Sequence, residues 1–258
     1  MDAEFLSLLR DPIAHEPLDH IRDGKREFLS SRSGRRYEID AGIVRFLDAE
    51  ELTGNNKRYQ RLYDRLAPVY DLSTRIYARV KQGNVDDRIG QYLKELDVKD
   101  GQRVIEISVG TGRNLVGLNH KAAYFGVDIS FGMMKRCARA MRRSGRRVSL
   151  VQAEAELLPL KDGAFDVVFS AGGFNFFNDK SEAVREMLRI AKSGTKLMIS
   201  DETEKIRAKF DKSPVTKAFY GNQDKIAGPA AFIPDGCRDV EYKEVCDGEL
   251  YALTFWKP

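Results

Sequence analysis

The chain is poor in the residues that mark several protein classes. Of its 258 residues, three are cysteines, three are histidines and one is a tryptophan. Cys137, Cys237 and Cys246 form no Cys-x-x-Cys pair, which argues against a disulfide scaffold and for a reducing, intracellular setting. No apolar run approaches the ~20 residues needed to cross a bilayer, and the opening MDAEFLSLLRD is acidic and short where a secretory leader is basic and long. A cytoplasmic protein is expected. Charge is nearly balanced, 43 Lys and Arg against 39 Asp and Glu, for a net +4, too small an excess to announce a nucleic-acid binder. Repeats and low-complexity stretches are also missing.

What remains is a 42% hydrophobic chain, long enough for one substantial α/β domain and a small appendage. Residues 1–48 alternate short β-like runs with the turn pairs Asp23-Gly24, Ser33-Gly34 and Ala41-Gly42, as a meander of hairpins does. The remainder, 49–258, divides into helices over 49–100, a core over 101–202 and a closing part over 203–258. In the first of these, Tyr59, Leu62, Tyr63 and Leu66 have helical spacing, and Pro68 is expected to break that helix. Two further runs follow, one with Tyr70, Leu72, Ile76, Tyr77 and Val80, the other with Ile89, Tyr92, Leu93 and Leu96.

From Gln102 onward, apolar runs at 103–107, 123–127, 148–151, 165–170 and 196–200 alternate with helical patterns at 113–118, 131–143 and 181–192. Repeated β-α-β units imply a parallel sheet with right-handed crossovers and helices on both faces. A charged, helical stretch is expected from Asp201 to Tyr220. Asp247-Gly248 then joins two closing strands, 239–245 and 249–256, in a hairpin.

The loop after the first core strand reads Glu106-Ile-Ser-Val-Gly-Thr-Gly-Arg-Asn114. Glycines there let the backbone approach a ligand beyond the carboxyl ends of the strands. A dinucleotide fingerprint needs a third glycine three residues past Gly112, where Leu115 stands. Asp128 ends the next strand and is placed to accept bonds from two ribose hydroxyls.

The pattern Glu-x-Ser-x-Gly-x-Gly, with Asp128 and the later stretch VQAEAELLPLKDGAFDVVFS (151–170), resembles the class I S-adenosylmethionine-dependent methyltransferases. Within these, the group of ubiquinone/menaquinone and phospholipid enzymes is most similar, and the helix YDRLAPVYD (63–71) is part of that likeness. The resemblance implies a Rossmann-like, mostly parallel seven-stranded sheet with a C-terminal antiparallel hairpin, beside a small β-rich N-terminal module. It implies S-adenosyl-L-methionine as cofactor and S-adenosyl-L-homocysteine as product. It places Glu106, Ser108, Gly110 and Gly112 near the methionine end, Asp128 at the ribose, and Ile129, Met133, Glu154 and Ala155 around the adenine, with Thr111 and Ser170 as further cofactor-binding residues. Tyr70 would lie over the cofactor, with Tyr63 and Tyr77 behind it. Ser108 stands where the family often has glycine, and is expected to keep a negative φ; a positive φ with its side chain blocking the loop would remove most of the support for a catalytic role.

Phe174, Asn175 and Phe176 follow the fourth core strand, at the place that faces the transferred methyl in the resembled fold. With Tyr63 they form the expected acceptor pocket, Asn175 orienting the substrate. No catalytic base carries over; His15, His20 and His120 lie away from the motifs. The acceptor expected is a small molecule or a lipid-like one. The alternatives are an RNA methyltransferase and a non-catalytic cofactor-binding regulator or scaffold.

The N-terminal segment resembles the zinc-ribbon-like unit that precedes many bacterial methyltransferases. Its four ligand places here read Asp11, Ala14, Ser30 and Ser33, which cannot supply a tetrahedral thiolate site, so no metal is expected. The module would act by packing, as a lid or a homodimer contact. Finally, Lys135–Arg147 holds seven basic residues in thirteen. Its plain reading is a solvated helix face; the other is weak contact with an anionic membrane surface or RNA.

Overall fold

The computed structural model describes residues 2–24, 26–47, 52–67, 85–119, 121–210 and 228–258. At its centre lies β5 (Arg103–Ile107), flanked by β6 (Ala123–Asp128) and β8 (Val167–Ala171); β7 (Val148–Gln152) lies beyond β6, and β9 (Lys196–Glu202) beyond β8. These five strands run parallel. Both faces are covered, which explains their nearly unbroken apolar character. On one face Ile105, Ile107, Val168, Leu197 and Ile199 pack with Val184, Met187 and Ile190 of helix Lys180–Ile190. On the other, Val104, Phe169 and Met198 pack with Met134, Cys137 and Met141 of helix Phe131–Arg143. Each fully buried aliphatic side chain contributes about 1.5–3 kcal/mol.

The closing hairpin forms as expected: β10 (Arg238–Val245) and β11 (Leu250–Trp256) are antiparallel, and β11 inserts beside β9. The expected seven strands are therefore present, but the sheet has eleven. The reason lies in the N-terminal meander, β1 (Asp19–Asp23), β2 (Arg26–Ser30), β3 (Arg36–Asp40) and β4 (Ile43–Arg45). Its last strand pairs parallel to β7, with Ile43 opposite Leu150 and Arg45 opposite Gln152, and so extends the mixed sheet. Ala41 and Gly42, at φ +52° and +78°, make the two-residue turn between β3 and β4.

The meander is pinned by Asp11, which is fully buried. Its Oδ1 accepts from the Ile13 and Ala14 amides and from Arg35 Nη1, and its Oδ2 accepts from the Tyr37 hydroxyl at 2.9 Å. Burial alone would raise the Asp11 pKa, but these donors together hold it below the usual carboxylate value. A short helix, α1 (Ala3–Leu8), capped by Asp2 and burying Phe5 and Leu8, precedes the meander and was not expected.

Two helices complete the layout around the site. α2 (Gly54–Leu66) carries Tyr59 and Tyr63 and ends ahead of Pro68, which lies outside the described residues, as do Tyr70, Tyr77 and His120. α3 (Val85–Leu93) brings Tyr92 under the loop that follows β5. Next come α4 (Arg113–Val116), then Phe131–Arg143 as α5 and Lys180–Ile190 as α6. The helix expected from Asp201 is described over Glu204–Phe210, as α7. No helix among the described residues is long and apolar enough to cross a membrane.

Candidate functional site

Between β5 and β8 the strand order reverses, and the loops leaving their carboxyl ends flank a crevice. The β5 loop is fixed by its own backbone. Ser108 and Val109 N–H both donate to the Val127 carbonyl, at 2.8 and 3.0 Å, and Gly112 N–H donates to Val109. Three of its residues are left-handed: Ser108 at φ +69°, Gly110 at +52° and Gly112 at +76°. The expectation of a negative φ at Ser108 is therefore wrong. Anchoring on Val127 imposes the backbone shape that glycine adopts freely, and serine adopts it at a cost.

The Ser108 side chain turns toward the β8 loop. A Cβ built on Gly173 would come within 2.1 Å of Ser108 Oγ, so the two positions share one space. Above Gly110 a Cβ would meet nothing within 4 Å, whereas at Gly112 it would come within 2.5 Å of Cys137 Sγ. Gly110 thus faces open space, and Gly112 lets α5 pack against the loop.

Asp128, at the end of β6, is gripped at both oxygens: Gly110 N–H donates to Oδ2 at 2.7 Å and Ser130 N–H to Oδ1 at 2.8 Å. Burial raises its pKa to about 6, against the pull of these two amides and with the Asp64 charge adding to the rise. Beside it, Ile129 is half-buried and Met133 is buried in the first turn of α5.

Glu106 is fully enclosed, and burial drives its carboxyl well above the usual range. Asn114 Nδ2 donates to Oε1 at 2.5 Å, and the Tyr92 hydroxyl, donating to Asn114 Oδ1, sets that amide's orientation. Glu106 Oε2 and Ser170 Oγ, both buried, have no hydrogen-bond partner among the described residues. Two orphaned polar atoms at the ends of adjacent strands, with open space over Gly110, fit the polar methionine end of S-adenosylmethionine.

Glu154 and Ala155 follow β7. Glu154 is half-buried and accepts from Asn56 Nδ2 of α2 at 2.7 Å; burial raises its pKa. Sequence reasoning did not find Asn56, which carries no local signal beyond its place in a helix. α2 also supplies Asp64, whose Oδ1 accepts from Ser130 Oγ at 2.6 Å and Gly132 N–H at 2.9 Å. The helix is thereby tied down on both sides of Asp128.

The four expected acceptor residues separate into two pairs. Phe174 is sealed in the core against Phe177 and Phe232. Asn175 donates its N–H to Asp201 Oδ2 and its Nδ2 to the Glu202 carbonyl, so its amide is engaged by the protein itself. Phe176 and Tyr63 both meet Tyr59, at ring separations of 4.5 and 6.3 Å. Asp201, missed in the sequence reading although it ends an apolar strand, is a buried carboxylate beside this loop, raised by burial to about 6. On α5, Lys135, Arg139, Arg142 and Arg143 are solvent-exposed, as is Arg147 beyond its end.

Residues 105–199 match the family model described as "Methyltransferase domain". This segment is thus similar to methyltransferase domains, and the fold around it is the Rossmann-like α/β fold of a SAM-dependent methyltransferase of known structure. Among curated relatives, a demethylmenaquinone methyltransferase of Corynebacterium kroppenstedtii is 31% identical over 143 residues, 55% of this chain and 58% of that protein. The ubiquinone/menaquinone biosynthesis C-methyltransferase UbiE of Shewanella sediminis is 34% identical over 113 residues, 42% of this chain and 45% of that protein. The chain thus spans about half the length of these curated relatives. A SAM-dependent methyltransferase of known structure from Thermotoga maritima shares the fold, with a TM-score of 0.59, 22% identity, and coverage of 77% of this chain and 99% of that one.

Proposed function

We propose that the protein transfers the methyl group of S-adenosylmethionine to a small-molecule or lipid-like acceptor. The observation that carries this reading is Asp128, locked by the Gly110 and Ser130 amides at the mouth of the crevice, with each oxygen keeping a lone pair for a ribose hydroxyl. Ile129, Met133, Glu154 and Ala155 would hold the adenine. Glu106, Ser170 and the amides of the glycine loop would hold the amino-acid end. The bound sulfonium supplies an electrophilic methyl group, so the chain's own task is mainly alignment and exclusion of water. Tyr59, Tyr63 and Phe176 wall the acceptor side. Asp201 braces the Phe174–Phe176 turn through the Asn175 amide, a positioning duty and not a proton transfer.

The lipid-like half of the proposal is supported by the names of the relatives, a demethylmenaquinone methyltransferase and a ubiquinone/menaquinone biosynthesis C-methyltransferase, and by the aromatic wall. Residues 1–48 we read as a ribbon-like module joined to a methyltransferase domain over 49–258, with Asp11 doing by hydrogen bonds the cross-linking that a metal does in ribbons. Calorimetry with S-adenosylhomocysteine tests the cofactor half, and absence of binding would sink the proposal. Incubating the full chain and labelled cofactor with quinone, lipid, small-polar and RNA fractions of a cell extract tests the acceptor half. Label in the quinone or lipid fraction is the result expected. Label in RNA alone would replace the acceptor class, and binding without any transfer would leave a regulator.

A further inference from the structure

The N-terminal meander reaches the adenine end of the site. Arg45, Gln152 and Asp128 lie opposite one another on β4, β7 and β6, in one row across the sheet. Arg45 Nε donates to Gln152 Oε1 at 3.0 Å, and Gln152 Nε2 donates to the Ile129 carbonyl at 3.0 Å. Gln152 is 2% exposed, so its amide is shielded from bulk water at both bonds. The Arg45 guanidinium lies 4.9 Å over the ring of Phe131, which opens α5 just after Ile129. Backbone bonds parallel this chain of contacts: Phe46 N–H donates to the Gln152 carbonyl, and Ala153 N–H to the Asp128 carbonyl. The same segment also holds the far side of the Glu154 loop, where Arg10 N–H donates to the Pro159 carbonyl and Lys161 N–H to the Leu8 carbonyl.

We infer that Arg45 is a positioning residue for the adenine subsite, and that the N-terminal meander sets cofactor affinity by holding the Ile129 and Glu154 loops in binding geometry. This rests on the methyltransferase reading above. A buried glutamine amide satisfied at both ends fixes one backbone position, and Arg45 is the donor that decides which way that amide points. Removing it frees the Gln152 side chain to rotate and releases the Ile129 carbonyl. The site then loses the shelf on which the adenine packs, while the Asp128 grip, made by Gly110 and Ser130, stays.

The test uses the full chain and two ligands, S-adenosylhomocysteine and 5′-methylthioadenosine, the latter carrying only the adenosine half with a methylthio group. In R45M both dissociation constants are expected to rise by a similar factor, about tenfold for the loss of one hydrogen bond from a charged donor. KM for the cofactor should rise likewise while kcat at saturation holds. R45K keeps a cation over Phe131 but loses the planar fork, and should recover part of the affinity. If R45M does not fold, R45K against the parent carries the test, with a smaller rise expected in both constants. Affinities within twofold of the parent, or a loss confined to S-adenosylhomocysteine, would overturn the inference. If the parent itself binds neither ligand, the methyltransferase reading fails instead.

Discussion

The proposed ribose contact at Asp128 is sensitive to pH. Its carboxyl is raised to about 6 by burial, and only the ionised form offers both oxygens as acceptors. Affinity for S-adenosylhomocysteine is therefore expected to be flat above pH 6 and to weaken toward tenfold per unit below it, as calorimetry from pH 5 to 8 would show. D128N should weaken binding by about 10- to 100-fold, the loss of bonds to a charged group, and flatten that profile. Ser108 invites a different experiment. Its left-handed backbone costs about 1–2 kcal/mol relative to glycine, so S108G should raise the urea midpoint. G173A should lower stability by about 1–3 kcal/mol, because the new methyl collides with Ser108. The double variant should recover most of that loss, a coupling that a thermodynamic cycle measures. The places of Asp128, at the end of β6, and of Gly110 and Gly112, in the loop after β5, were legible in the sequence because strand ends and glycine turns leave a local pattern. The φ of Ser108 was not, since the carbonyl that imposes it, Val127, lies on another strand.

At the scale of elements, α2 is held over the site by polar contacts at both ends: Asn56 on Glu154 and Glu156 with the Asn55 and Asn56 backbone amides on Asn178 at one, and Asp64 on the first turn of α5 at the other. Asp64 caps a helix from outside it, satisfying an amide and favouring the positive end of the dipole. D64A is expected to cost about 1 kcal/mol and to speed limited proteolysis within α2 while the sheet resists cleavage. Unchanged cleavage of α2 would mean that the contacts around Asn55 and Asn56 suffice to hold it. The core strands and helices could be read from periodicity almost to the residue, because buried parallel strands are continuous apolar runs between amphipathic helices. The pairing of β4 with β7 could not, since nothing local in Ile43–Arg45 says which distant edge it will meet. Asn175 illustrates the same limit: nothing local in the sequence says that its backbone N–H and Nδ2 donate to Asp201 and Glu202.

For the whole molecule, the carboxylates at the carboxyl ends of the strands dominate the pH response. Asp128 and Asp201 near 6, Glu202 near 8 and Glu106 above its usual range all keep protons that the unfolded chain has released. Where the native state binds more protons, stability falls as pH rises, here from about 4 through about 8. Asp11 and Asp166, held below the usual value, act in the opposite sense: their contribution is present above about pH 4 and is lost on further acidification. The ligand-free protein should therefore melt at a higher temperature at pH 5.5 than at pH 8.5, and a rise in melting temperature with pH over that interval would contradict the burial of these groups. Saturating S-adenosylhomocysteine should add more to the melting temperature at pH 7 than at pH 5, because its hold on Asp128 requires the ionised form.

The parallel pairing of β4 with β7 also orders events in time. Arg45 and Gln152 are 107 residues apart, and chains are synthesised at about 5–20 residues per second. The meander therefore leaves the ribosome on the order of 5–20 s before its docking edge exists, and during that interval the open side of β4 is an unpaired strand. Its brevity, three residues, limits what that edge can capture in the meantime.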